Sequence, residues 1–109
     1  MTRYEVLLTA GAQRDLEEIV DYIVANDSAA NARRVLDRLA DAVAGLASFP
    51  ERGARPRELL EIGIQEYRQV FFKPYRLIYR ISGKTVHVHL VADGRRDMQT
   101  LLGRRLLGD

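Results

Sequence analysis

The chain has 109 residues, 47% of them apolar and 29% charged, which fits one soluble globular domain over 1–109 and excludes a disordered chain. There is no cysteine, so a disulfide framework, a thiolate metal centre and a cysteine nucleophile are all excluded. No run approaches the roughly 18 apolar residues of a membrane span, so no membrane association is expected and the cytoplasm is the expected compartment.

In chain order, residues 4–9 form a short apolar segment of strand character. Residues 12–26 then change period. Leu16, Ile19, Val20 and Ile23 recur at helical spacing and share one face. Glu17, Glu18 and Asp21, with Asp15, read as a solvated acidic face. Asn26-Asp27-Ser28 breaks the helix and offers a cap for a second one over 29–48. Its buried face should carry Ala32, Val35, Leu36, Leu39, Val43 and Leu46. So short a break implies an antiparallel helical hairpin.

Residues 50–63 hold Pro50, Gly53, Pro56 and Gly63 and read as a loop. Three strands follow, over 67–72, 75–81 and 86–91, divided by Lys73-Pro74 and by Ser82-Gly83-Lys84. They should form an antiparallel meander. Met98, Leu101, Leu102 and Leu106 indicate a short C-terminal helix. The order β-α-α-β-β-β-α predicts an α+β fold with the helical hairpin packed on one sheet face. Strict alternation puts Leu77, Tyr79, Ile81, Val86, Val88 and Leu90 beneath the helices. The opposite face then gathers Arg76, Arg80, His87 and His89, with Arg68 nearby.

The net charge of +2 is unevenly spread: residues 51–109 carry 12 basic and 7 acidic side chains. Of the 17 basic residues in the chain, 15 are arginine. Such a half suits an anionic partner, nucleic acid or an acidic protein segment, and it also fits a GC-rich genome. His87 and His89 are the only histidines. Two ligands fall short of a zinc site, so neither metal nor cofactor is expected. Arg95 and Arg96 could grip a phosphate or carboxylate; equally, Asp97 could cap the last helix and pair with one of them.

The ordered marks Ala12-x-x-Asp15-Leu16-x-x-Ile19, Tyr22-Ile23, Leu46-x-x-Phe49-Pro50-x-x-Gly53, Tyr75-Arg76-Leu77-Ile78-Tyr79 and Gly94-Arg95-Arg96-Asp97 together resemble the ParE/RelE superfamily of type II toxin–antitoxin systems, once described as plasmid stabilisation proteins. The resemblance spans nearly the whole chain and implies the same β-α-α-β-β-β fold, with the first strand beside the last strand of the meander. It implies a bacterial toxin neutralised by a cognate antitoxin with a disordered C-terminal segment, as a toxin dimer or as a heterotetramer with the antitoxin.

RelE-like members are ribosome-dependent mRNA endonucleases that need no metal; ParE-like members inhibit DNA gyrase. Against the RelE pattern, Arg76 and Arg96 match its arginines and Arg68 falls near a basic position. A second basic position falls on Val70 or Gln69, and the catalytic tyrosine position falls on Leu102. Arginine is a poor proton shuttle, so a nuclease here would need His87 or His89 as acid or base beside Arg68, Arg76 and Arg96. The resemblance therefore favours a ParE-like gyrase inhibitor that binds its target or antitoxin through Arg68, Arg76, Arg80, Arg95 and Arg96. The alternatives are a RelE-like nuclease acting on ribosome and mRNA, and a detoxified antitoxin-binding module.

Overall fold

The computed structural model describes residues 3–108. Strand β1 (Glu5–Leu8) runs directly into helix α1 (Ala10–Asn26). Thr9 makes the switch: its hydroxyl accepts from the Ala12 N–H at 3.1 Å, satisfying one of the free donors of the first turn. Ser28 does the same for α2 (Ala29–Gly45), accepting from Asn31 N–H at 3.0 Å. A 3-10 turn at Pro50–Arg52 and a single helical turn, α3 (Arg57–Leu60), follow. The expected loop over 50–63 therefore contains ordered elements. Then come β2 (Tyr67–Phe72), β3 (Tyr75–Ser82), β4 (Thr85–Asp93) and α4 (Met98–Leu106).

The sheet order is β1-β4-β3-β2. The meander is antiparallel, and β1 lies parallel to β4, pairing Glu5 with Thr85 and Leu8 with Val88. The helical hairpin covers one face. Ala12, Ile23, Ala32, Val35, Leu39 and Leu46 pack there on Val70, Leu77, Tyr79, Val86, Val88 and Val91. Leu36 is only half-buried and lines a shallow groove between the helices with Leu16, Glu17, Val20 and Asp21.

The second face is not the open basic surface that alternation suggests. The ladder between β3 and β4 shifts register at Ile78/Tyr79, so that Ile78 pairs with Leu90 and Tyr79 with Val88. His89 is the extra residue, and a bulge of this kind reverses the alternation beyond it. Leu90 therefore turns to the second face, opposite to the expectation for it, and Val91 turns to the helical hairpin. On the second face Ile78, Leu90 and Ala92 join Leu59, Tyr67, Met98 and Leu102 in another buried cluster roofed by α3 and α4.

Tyr79 fixes the segment after α2. Fully buried, it donates to the Pro50 carbonyl at 2.6 Å and accepts from Gly53 N–H at 3.1 Å. A Cβ on Gly53 would collide with the Gln69 carbonyl and with the Tyr79 hydroxyl, which explains the glycine.

Candidate functional site

The expected basic residues divide into four environments. Arg68 pairs in register with Tyr79, so it projects on the helical-hairpin face and not beside Arg76. Its guanidinium donates to the carbonyls of Gly53 (2.9 Å) and Glu51 (3.3 Å), tying down the turn that Tyr79 also holds.

Arg76 is on the second face but is 9% exposed. It makes a forked pair with Glu58 of α3, both bonds 2.9 Å, and its Nε donates to Gln69 at 2.8 Å. The hydrogen bond from Arg76 holds the Glu58 carboxyl below its ordinary value, against the opposing effect of burial. Gly94 admits the arginine's stem, since a Cβ there would lie 2.8 Å from Arg76 Cδ. Around this pair is a shallow cleft of about 570 Å³ whose wall includes Arg57, Lys73, Arg95 and the exposed ring of Phe71.

Arg95 and Arg96 follow β4 and are exposed. Arg95 forks onto Asp93 at 2.9 and 2.6 Å, while Asp97 caps α4 by accepting from Thr100 N–H at 3.2 Å. The cap expected of Asp97 is thus present, whereas the arginine pairing falls to Asp93 and not to Asp97. The two arginines also rim a more enclosed cleft of about 370 Å³. Ile19, Ile23 and Val91 give it an apolar floor, and Tyr22 and Tyr75 stand at its walls. Tyr22 is 69% exposed. Aromatic rings and arginines over an apolar floor are the composition of protein-binding surfaces.

Arg80, His87 and His89 occupy the open half of the second face, beside the buried ring of Tyr67. Arg80 stands opposite both Tyr67 and His87 in the register. Burial, then the positive neighbours His87, Arg80 and Arg105, push the His89 imidazole below its ordinary value. Among the described residues no cluster of three metal-ligating side chains exists.

Two structural anchors escape the sequence reading. Asp15 is not on a solvated face: its carboxylate takes both guanidinium nitrogens of Arg105, at 2.9 and 3.1 Å, and Val91 N–H at 3.0 Å. Arg105 also donates to the His89 carbonyl at 3.0 Å. These bonds satisfy the edge of β4 where β1 has ended. The other anchor is Glu58, whose signal was Pro56 ahead of Arg57-Glu58-Leu59-Leu60, a proline-led helical turn.

This arrangement is that of a small α+β protein with open clefts suited to binding macromolecular surfaces. Residues 6–98 match the family described as the ParE toxin of the type II toxin–antitoxin system parDE. The chain belongs to that toxin family. It is similar to toxin ParE3 of Caulobacter vibrioides, 27% identical over 100 residues, covering 92% of this chain and 96% of that protein. Among solved structures it resembles one from the chromosomal ParDE system of P. aeruginosa, with a TM-score of 0.70 and 20% identity, over 84% of this chain and 96% of the other. A chain of the RelBE2 toxin–antitoxin complex from Mycobacterium tuberculosis is similar with a TM-score of 0.63 and 27% identity, over 85% and 93%.

Proposed function

We propose that this ParE-family toxin inhibits DNA gyrase by binding it, with no chemical step of its own, and is neutralised by a cognate antitoxin. The observation that carries the reading is the state of Arg76. The arginine that a RelE-like nuclease would turn on a scissile phosphate is here forked onto Glu58 and Gln69. Leu102, at the position of the nuclease tyrosine, is 1% exposed and packed in the second core. Arg68 serves the 50–53 turn on the other face.

Target and antitoxin then engage the exposed rims. Arg95 and Arg96 with Tyr22 present one cleft, and Phe71 with Arg57 and Lys73 presents the other. A disordered antitoxin segment that folds on binding, with acidic and apolar positions, suits the largely cationic cleft beside Phe71 and the apolar floor beside Tyr22, where Glu18 and Asp93 accompany Arg95 and Arg96. The whole chain, 1–109, acts as one toxin domain in the cytoplasm; among the described residues no helix is long and apolar enough to cross a membrane.

Brief expression of the chain in a bacterial host, with and without the antitoxin encoded beside it, tests this reading. Gyrase poisoning gives chromosome breaks and the DNA-damage response while mapped mRNA 5′ ends stay unchanged. New, codon-positioned mRNA ends without DNA breaks would show the nuclease instead.

A further inference from the structure

The cationic half of the second sheet face is used by neither the core nor the two clefts. Arg80 of β3 lies with its guanidinium carbon 5.8 Å from the centre of the Tyr67 ring. Tyr67 meets His89 edge-on with ring centres 5.5 Å apart, and the His87 and His89 rings are 6.3 Å apart. The bulge at His89 draws Leu90 and Ala92 under α4 and leaves this polar half uncovered.

Around His89 the charges are of one sign, while Glu5 of β1 lies further along the same sheet face, opposite Thr85 and next to the Leu7–His87 pair. The charged groups that bear on His89 are Arg80 on β3 and Arg105 on α4, with the second imidazole, His87, on its own strand; Tyr67 faces it from β2. Arg105 is matched by Asp15 of α1. Among the described residues no carboxylate lies within ion-pair distance of Arg80, His87 or His89. Gathering like charges costs stability unless an anion answers them. A metal cation would be repelled by Arg80 and would find only two imidazole ligands.

We propose that Arg80, His87 and His89 form a binding site for a phosphate-type oxyanion, and that protonation of the two imidazoles tightens it. Arg80 offers an exposed fork of N–H donors suited to such an oxyanion. His87 adds a half-exposed ring, and His89 a deeper one set in place by Tyr67. Linkage makes the effect reciprocal: a bound anion favours the charged imidazole, so it raises the His89 midpoint that burial and the surrounding cations depress. The oxyanion is either a backbone phosphate of nucleic acid or a small free phosphate ester. The inference holds whichever target the toxin attacks.

NMR titration of the imidazole resonances in the full chain tests it, with sulfate as probe because its charge is constant across the range. At matched ionic strength, sulfate in place of chloride should raise both midpoints. Sulfate should also bind about tenfold tighter at about pH 5.5 than at about pH 7.5, the worth of one charge-assisted hydrogen bond. Arg80→Gln should weaken binding by a similar factor with an unchanged circular dichroism spectrum, and His87→Gln gives an independent second variant. Arms with a short DNA duplex and with a nucleoside monophosphate assign the source: a shift from duplex marks a nucleic-acid backbone, and a shift from the monophosphate alone marks a small ester. Midpoints identical in sulfate and chloride, or affinity unchanged in both variants, would overturn the proposal.

Discussion

The salt bridges of this molecule differ in worth because their surroundings differ. Asp15–Arg105 is largely shielded, its side chains 13% and 26% exposed, and both partners hold backbone groups of β4 as well. Arg33–Asp37 is an exposed i,i+4 pair with side chains 78% and 62% exposed. Asp15→Ala should therefore cost about 2 kcal/mol in urea unfolding, since it orphans Arg105 and the Val91 N–H. Asp37→Ala should leave the urea midpoint almost unmoved.

Glu58 and His89 both predict a loss of stability toward acid, in different pH windows. The folded chain holds Glu58 below its ordinary 4.5, so its contribution is complete above that pH and is lost as the pH falls through the folded value. Glu58→Gln should flatten part of the acid loss of melting temperature. His89 is held below its ordinary 6.5, so the unfolded chain takes up the proton more readily. Stability should accordingly drop as the pH falls from about 6.5, and His89→Gln should remove that drop. A melting temperature flat between pH 7 and pH 5.5 in chloride buffer would contradict the His89 assignment.

Among the elements, the helical hairpin derives its stability from the residues that meet the sheet. Leu39 is 1% exposed and central to that contact, and Leu39→Ala should cost about 3 kcal/mol in the same unfolding assay. Leu36, on the groove between the helices, should tolerate a polar replacement far better. Both helices were legible from the sequence because Leu16, Ile19, Val35 and Leu39 repeat at a period that only a helix turns into a face. The meander was legible from its turns, Lys73-Pro74 and Ser82-Gly83-Lys84. The bulge at His89 was not, since an extra residue in β4 leaves composition and propensity untouched yet exchanges Leu90 and Val91 between faces. That single slip is why the second face reads as basic in sequence and is half apolar in structure. The partners of Arg68, Arg76 and Asp15 were hidden for a different reason. They lie 7–90 positions away in the chain, and side-chain pairing across separate elements leaves no local pattern.

Across the whole molecule, the sheet separates two kinds of surface. One face is sealed by the helical hairpin, and the other is part core, part cationic patch, with clefts at its margin. Two of the three arginines at nuclease-like positions serve this architecture, Arg76 by fastening α3 to the sheet and Arg68 by fastening the turn before it, while Arg96 stays exposed. What remains exposed are the groups that the proposed binding would use: Tyr22, Arg95 and Arg96 at one cleft, Phe71 and Lys73 at the other. Arg95→Ala with Arg96→Ala should thus weaken target inhibition about tenfold or more while leaving the melting temperature within a few degrees, because exposed arginines contribute binding and little folding energy.

The most direct measurement is the supercoiling of relaxed plasmid by purified DNA gyrase and ATP, titrated with this toxin. Dose-dependent loss of supercoiling with near-stoichiometric toxin, reversed by adding the antitoxin, is the expected result. Full gyrase activity at a large molar excess of folded toxin that still arrests growth would contradict it.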